Sequence, residues 1–252
     1  MKIKIKSKKL KGKFIYGNST ENKKTATLVV FMSGLSGGMG FPLFKNASVK
    51  FLKNGFSAVE FNFCNDSSNK RQKINAPTLE QMSFSVYTAE LKNILDSYGK
   101  KYSKIVLIGH SFGAIISILF LSKYKKYVKN TELVLWDPSL LPWKKEWMEQ
   151  DFVFDAKKRL YIGKNGKEVM NKLFYKECIN IKNTANILQS LNKKVCIATA
   201  ENGAHKDAKK YFLKIHNKKS SRFIIIKKTG HLFTEKIAQK ELFKETIDFL
   251  NR

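Results

Sequence analysis

The chain has 252 residues, of which 43% are hydrophobic, and a formal net charge of +28 at pH 7. This length fits one large α/β domain better than two small ones, and the hydrophobic fraction suffices for a core that needs neither disulfides nor a structural metal. The charge points toward nucleic acid, but the lysines are spread from end to end, so we expect a solvated Lys-rich surface and no nucleic-acid partner.

The predicted elements alternate between strands and helices. Residues 1–16 are predicted to form two short strands with turns at Gly12 and Gly17, the first a half-exposed edge strand in which lysines alternate with Ile3 and Ile5. The predicted elements that follow are, in order, strand 26–32, helix 46–53, strand 56–63, helix 78–98, strand 104–108, helix 114–128, strand 132–136, strand 194–199, strand 222–228 and helix 234–250. This alternation predicts a doubly wound, mostly parallel sheet with its ligand site at the carboxyl ends of the strands.

Residues 139–192 interrupt the alternation, because they are longer than one helix crossover requires. The segment is rich in aromatic residues, which are Trp143, Trp147, Phe152, Phe154, Tyr161, Phe174 and Tyr175. We predict a small lid with an apolar underside, inserted after the sixth strand of a single domain that spans residues 1–252. The alternative is that these aromatic side chains only anchor the insertion to the core.

Hydropathy and cysteine usage bear on the cellular location. No segment approaches membrane-spanning length, and the N-terminus lacks the apolar run of a secretory signal. The three cysteines, Cys64, Cys178 and Cys196, have no CxxC spacing, which favours small buried thiols in a reducing compartment. We therefore expect a soluble, cytoplasmic protein without a membrane span.

The pentapeptide GHSFG at residues 109–113 is the strongest chemical signal. It follows the predicted strand 104–108 and opens the predicted helix 114–128. GxSxG alone is a weak signal, but a serine on so sharp a strand-to-helix turn needs small neighbours and is exposed above the sheet. The pattern therefore predicts that Ser111 is a nucleophile.

A serine hydroxyl needs a base to take its proton. Of the four histidines, His231 follows the last predicted strand and so lies at the same edge of the sheet as Ser111. We predict that His231 is the general base. His110 is expected to pack or hydrogen-bond locally, and His205 and His216, which stand in polar surroundings, are expected at the surface.

These motifs together resemble the α/β-hydrolase family. GHSFG after a strand, a strand-terminal Gly-His near the C-terminus and a lid after the sixth strand match that family over residues 26–250. The resemblance implies a serine hydrolase of the esterase, thioesterase or lipase kind and an oxyanion hole built from backbone amides. One donor is expected at Phe112, next after the nucleophile, and the other at Leu35 in the loop after the third strand, where Ser33 replaces the histidine that many members have.

The acid of the triad has more than one candidate. The family most often places an aspartate in the loop after the seventh strand, where this chain has Gly203. Asp137, which ends the sixth strand at a position that some members use, is favoured. Glu201 and Asp207, the latter resembling a helix N-cap, are the alternatives, as is a dyad without an acid.

The sequence therefore predicts a hydrolase of a small-molecule carboxylic ester or thioester that works through an acyl-enzyme on Ser111. No metal-ligand spacing and no nucleotide-binding glycine motif is present, so we expect no cofactor. Acyl transfer in place of hydrolysis is left open, as are acyl length and oligomeric state. The alternative is an inactive binding protein that kept the fold and presents a cationic surface to an acidic partner.

Overall fold

The computed structural model describes residues 1–35, 41–63, 78–139, 141–164 and 169–252. The strands are β1 (Lys2–Lys6), β2 (Phe14–Thr20), β3 (Thr27–Met32), β4 (Ser57–Asn62), β5 (Thr78–Leu79), β6 (Lys104–His110), β7 (Thr131–Trp136), β8 (Phe152–Asp155), β9 (Leu160–Gly163), β10 (Val169–Asn171), β11 (Val195–Asn202) and β12 (Arg222–Gly230). The helices are α1 (Pro42–Lys53), α2 (Phe84–Ile94), α3 (Phe112–Lys123), α4 (Lys145–Asp151), α5 (Lys172–Asn180), α6 (Thr184–Ser190), α7 (His205–Lys214) and α8 (Lys236–Leu250).

Eight strands form the main sheet in the order β1-β2-β4-β3-β6-β7-β11-β12. The pairs β1–β2 and β2–β4 are antiparallel, and every later pair in this sheet is parallel. The prediction of a doubly wound, mostly parallel sheet is confirmed. Because the parallel strands all end at one edge, residues that follow β3, β6, β7, β11 and β12 are brought to the same side of the molecule.

Both faces of the sheet are buried, as the continuous apolar run in β3 predicts. Val29 and Phe31 pack into a core with residues of α1 and α8. Leu28, Val30 and Met32 pack on the opposite face with residues of α2 and α3. Successive side chains of a strand point to opposite faces. When both faces of the sheet are covered, every side chain of the strand is buried, which favours apolar residues at each position.

Gly17 does not mark a turn, and that prediction is wrong. It lies within β2 and pairs with Phe61 of β4. A Cβ atom at position 17 would lie 2.5 Å from the carbonyl oxygen of Glu60. The glycine is required by the close approach of two strands, which the local sequence does not reveal.

The helix predicted over residues 78–98 begins later than expected. Ser83 caps α2 by accepting a hydrogen bond from the backbone N–H of Val86 at 3.2 Å, and a π-helical turn over Leu95–Gly99 extends the helix at its other end. Thr78–Leu79 instead forms β5, which pairs with β10 in a second, four-stranded sheet of order β5-β10-β9-β8.

The segment predicted as a lid contributes α4, β8, β9, β10, α5 and α6, all of which lie between β7 and β11. Its aromatic side chains differ in burial, and Trp143 and Tyr161 are half-buried. Phe152, Phe174 and Tyr175 are buried, whereas Trp147 and Phe154 are exposed. Part of the insertion therefore anchors to the core, and its role as a lid over the same single domain stays a prediction.

The described cysteines are buried thiols. Cys178 and Cys196 are free and buried, and burial raises the pKa of Cys196 to about 12. Cys64 lies outside the described residues. Across the described ranges, none of the helices has both the length and the apolar character that crossing a membrane requires.

Candidate active site

Ser111 lies on the sharp turn between β6 and α3. Its φ of 54° and ψ of −118° are unusual for a residue with a side chain. The flanking glycines make this turn possible, because a Cβ atom on Gly113 would lie 2.3 Å from the carbonyl oxygen of Met32, and one on Gly109 would lie 2.5 Å from the backbone nitrogen of Ala114. Ser111 thus stands at the N-terminus of α3, where the helix dipole favours negative charge.

Asp137 and His231 meet at the carboxyl edge of the sheet. Asp137 directly follows β7 and is fully buried, and its Oδ2 contacts Nδ1 of His231, which directly follows β12. The carboxylate also accepts hydrogen bonds from the backbone N–H groups of Ala200 and Ala204, each at 3.0 Å. An Nδ1–H donated to the carboxylate leaves Nε2 of His231 unprotonated, which is the form that a general base requires.

Ser111 and His231 line one cavity of about 920 Å³. No hydrogen bond joins the two side chains in the described structure. The Oγ of Ser111 instead lies 3.0 Å from the Oγ of Ser139, and the backbone N–H of Ser139 donates to the carbonyl oxygen of Ser111 at 3.2 Å. Sequence reasoning missed Ser139, although its place two residues after Asp137, in the loop that follows β7, is a usable signal.

The other two acid candidates lie elsewhere. Glu201 accepts hydrogen bonds from the backbone N–H of Lys228 at 2.9 Å and from the Nζ of Lys227 at 3.1 Å, and these lower its pKa. Asp207 is exposed, pairs with Lys210 at 2.9 Å and stands in the first turn of α7. The N-cap of that helix is Ala204, so the prediction that Asp207 caps it is wrong. Neither carboxylate contacts His231.

The two residues predicted to supply the oxyanion-hole amides lie in the same cavity as Ser111. Leu35 and Phe112 both line the cavity, and Phe112 is the first residue of α3, where backbone N–H groups have no partner within the helix. A Cβ atom on Gly34 would lie 3.2 Å from the Cβ of Ser111. Glycine at position 34 therefore lets the loop after β3 come close to the nucleophile.

His110 packs against the ring of His231 and hydrogen-bonds to its backbone. Its Nε2–H donates to the backbone carbonyl oxygen of His231 at 2.7 Å, and the two ring centroids are 4.8 Å apart. Burial, followed by the proximity of His231, lowers the pKa of His110 to about 4. His110 is therefore neutral near pH 7 and acts as a local hydrogen-bonding group, as expected. His216 is exposed, as predicted, whereas His205 is half-buried at the start of α7.

The cavity has an apolar wall and polar groups that converge on Ser111. The wall comes from the loop after β3, from α1 and from the inserted segment, and includes Leu35, Phe41, Trp143, Trp147 and Phe152. Asp151 and Lys164 supply charged groups at its rim. Within the ranges that the structure describes, no cluster of three or more His, Cys, Asp or Glu side chains is arranged to hold a metal ion.

Comparisons with known proteins agree on the architecture. A family model described as alpha/beta hydrolase fold matches residues 28–248. Est1E from Butyrivibrio proteoclasticus, solved with ferulic acid bound, superposes with a TM-score of 0.75 at 12% identity over 99% of this chain and 100% of that chain. The alpha/beta hydrolase GrgF from Penicillium sp. sh18 gives a TM-score of 0.74 at 12% identity over 100% of this chain and 98% of that chain.

The esterase domain of a protein from Rhodothermus marinus is similar over 99% of this chain and 96% of its own, with a TM-score of 0.67 and 9% identity. At these identities, the likeness to each solved structure concerns the fold alone. No curated protein sequence matches this chain. What the chain shares with these proteins is therefore the fold, and its chemistry depends on its own residues.

Proposed function

The chain belongs to the α/β-hydrolase fold family, as its motifs indicate, and on that premise we propose that it is a serine hydrolase that cleaves a carboxylic ester or thioester. The family and the esterases and hydrolases among its structural neighbours support a hydrolase in the broad sense. The narrower proposal is carried by one observation. A buried carboxylate, Asp137, contacts Nδ1 of a histidine that shares its cavity with Ser111.

In the proposed acylation step, the Oγ of Ser111 attacks the carbonyl carbon of the substrate while Nε2 of His231 takes the hydroxyl proton. The Oγ leaves its contact with Ser139 by rotation about χ1 between staggered rotamers, within the cavity that Ser111 lines. The negative charge of the tetrahedral intermediate falls on the former carbonyl oxygen, where the amides of Leu35 and Phe112 donate hydrogen bonds. Asp137 stabilises the imidazolium that forms.

Collapse of the intermediate completes the proposed acylation: the bond between the carbonyl carbon and the leaving group breaks as His231 gives its proton to the departing oxygen or sulfur, which leaves an ester between the acyl group and Ser111. Deacylation then reverses the roles. Nε2 then removes a proton from a water molecule that attacks this ester, and the proton passes to the Oγ of Ser111 as the acid product leaves. The side chain of His231 is 41% exposed, so water reaches it without opening of the core.

An apolar substrate group fits the aromatic wall of the cavity. Trp143, Trp147 and Phe152 lie across the cavity that holds the nucleophile, and apolar surface of this kind stabilises hydrocarbon or aromatic groups by excluding water. The substrate we propose is a small-molecule acyl ester or thioester. A cofactor has no part in this mechanism.

Position 203, where the family most often has its acid, is a glycine in this chain, and this favours the alternative of an inactive binding protein. The contact between Asp137 and His231 weighs against it, because an acid is present although the usual position lacks one. The lysine-rich surface is then a property of the whole chain and not the basis of its function.

Labelling with a fluorophosphonate probe tests the proposal. We expect covalent labelling of the wild type, loss of labelling in Ser111→Ala, and unchanged labelling in Ser85→Ala, whose side chain is exposed on α2. The proposal fails if folded wild-type protein is not labelled, or if Ser111→Ala is labelled as well as the wild type.

A further inference from the structure

We propose that the acyl group of the substrate is held in a groove beside the main cavity and that it is a bulky, flat apolar group such as an arylalkanoyl chain. This inference rests on the proposed serine-hydrolase function and extends it to the identity of the substrate. The groove, here called the acyl groove, has a volume of about 510 Å³. Its lining residues include Ser139, Leu141, Pro142, Trp143, Trp147 and Tyr211.

The acyl groove adjoins the main cavity at Ser139, the residue in contact with Ser111. Ser139, Trp143 and Trp147 line both the groove and the main cavity, and the Oγ of Ser139 is 3.0 Å from that of Ser111. The Trp143 and Trp147 rings meet edge to face with centroids 5.3 Å apart, so they form a wall between the two spaces. A substrate whose reacting carbon lies at Ser111 therefore has room for one arm on each side of this wall.

Proton transfer to the leaving group decides which arm of the substrate lies in the main cavity and which lies in the acyl groove. His231 has to protonate the departing oxygen or sulfur, and it lines the main cavity but not the acyl groove. The leaving group must therefore lie in the main cavity, within hydrogen-bond reach of the imidazole. The acyl arm extends from the other side of the carbonyl carbon, past Ser139, and the acyl groove is the space that receives it.

The walls of the groove favour an apolar, flat occupant. Leu141, Pro142, Trp143 and Tyr211 present apolar or aromatic surface. The Tyr211 hydroxyl is already engaged, because it lies 2.7 Å from Oγ1 of Thr184. Aromatic surfaces of this kind stack on flat apolar groups.

Two charged side chains at the groove are also paired. Asp207 and Lys210 form an exposed ion pair at 2.9 Å, and Asn183 accepts a hydrogen bond from the backbone N–H of Ala185 at 2.9 Å. An anionic acyl tail would have to compete with Asp207 for Lys210. A neutral apolar tail leaves the Asp207–Lys210 ion pair intact.

A series of p-nitrophenyl esters tests this assignment, because the leaving group stays constant while the acyl group grows from acetyl to 4-phenylbutanoyl. In the wild type, we expect kcat/KM to rise by roughly fourfold for each methylene that enters the groove, which is the change that burial of one CH₂ produces. The variant Lys210→Trp fills the groove from α7 and removes only an exposed ion pair, which contributes little to stability. Lys209→Trp, at the neighbouring exposed position on the same helix, is the matched control.

We expect Lys210→Trp to lower kcat/KM for the 4-phenylbutanoyl ester by about tenfold or more, which corresponds to two or more methylenes excluded from the groove. The value for the acetyl ester should fall less, so that the ratio of the two values drops, whereas in Lys209→Trp this ratio should match the wild type. The inference is overturned if Lys210→Trp affects both esters equally or neither. Absence of hydrolysis of every ester by folded wild type would instead overturn the proposed function itself, and fluorophosphonate labelling separates these two outcomes.

Discussion

A Cβ atom on Gly203 would lie 2.4 Å from Oδ2 and 2.6 Å from Oδ1 of Asp137. Gly203 stands at the end of β11, in the loop where the family most often places its acid, and the carboxylate of a residue from β7 occupies the space that a side chain there would need. The two positions are therefore coupled. While Asp137 faces His231, position 203 has to remain without a side chain.

Gly203→Ala should impair catalysis without unfolding the chain. The added methyl group has to push the Asp137 carboxylate away from Nδ1 of His231, and misplacement of a catalytic group by about 1 Å costs about 10²-fold in rate. We expect a loss of about that size in kcat/KM on p-nitrophenyl acetate. Asn202→Ala, at the exposed neighbouring position, should retain wild-type activity. Equal activity of the two variants, at equal thermal stability, would argue against Asp137 as the acid.

Asp137→Asn removes the negative charge of the carboxylate and keeps nearly the same side-chain shape. The amide keeps an oxygen for the N–H groups of Ala200 and Ala204 but no longer selects the histidine tautomer, so we expect kcat to fall by about 10³- to 10⁴-fold. Glu201→Gln should stay within about twofold of the wild type, because Glu201 is engaged by Lys227 and Lys228 and such exposed contacts contribute little. Near wild-type turnover in Asp137→Asn would show that the assignment is wrong.

Leu35→Pro tests the proposed oxyanion hole. Proline has no backbone N–H, and loss of one oxyanion donor lowers kcat by about 10²- to 10³-fold. The matched variant Leu35→Val keeps the N–H and should lose less than about tenfold. Both should be measured as kcat and KM separately, since a transition-state donor affects kcat while KM changes little. A loss confined to KM in Leu35→Pro would contradict the role.

The buried His110 should make the free energy of unfolding depend on pH. Burial holds its pKa at about 4 in the folded protein, against 6.5 for the ordinary value. Between these values the unfolded chain binds a proton that the folded chain does not, so stability falls as the pH is lowered from 6.5 to about 4 and is unaffected by this residue above that window. The full contribution is up to about 3 kcal/mol.

Urea unfolding at several pH values measures this contribution. The variant His110→Gln should lack the part of the pH dependence that lies between 6.5 and 4, whereas His216→Gln, which alters an exposed histidine, should retain it. Parallel stability profiles for the wild type and His110→Gln would contradict the prediction.

The sequence predicted well what local sterics and burial determine. The apolar run that became β3 needed only the rule that a strand covered on both faces has no polar face. The turn at Ser111 was equally accessible from its GxSxG pattern, and the contacts that require Gly109 are made within or next to the motif, whereas those that require Gly113 come from Met32 and Ser33 at the end of β3. The eight strands of the main sheet followed from the same patterns.

Features that depend on distant chain segments were missed or misplaced. Gly17 is required by Glu60 of another strand, and β5 exists because Thr78 and Leu79 pair with Val169 and Met170. The hydroxyl contact between Ser111 and Ser139 belongs to the same class. In each case the partner is set by how the sheet assembles, and no local propensity records it.

The sequence by itself determined which reactive groups follow which strands, since a nucleophile turn and a strand-terminal histidine are encoded in neighbouring residues. It left three carboxylates as candidates for the acid, because each follows or lies near a strand end at the same edge of the sheet. Only the tertiary structure decided among their positions. It buries Asp137 against a histidine 94 residues away, turns Glu201 toward β12 and leaves Asp207 in solvent, and such distances arise from the packing of whole elements.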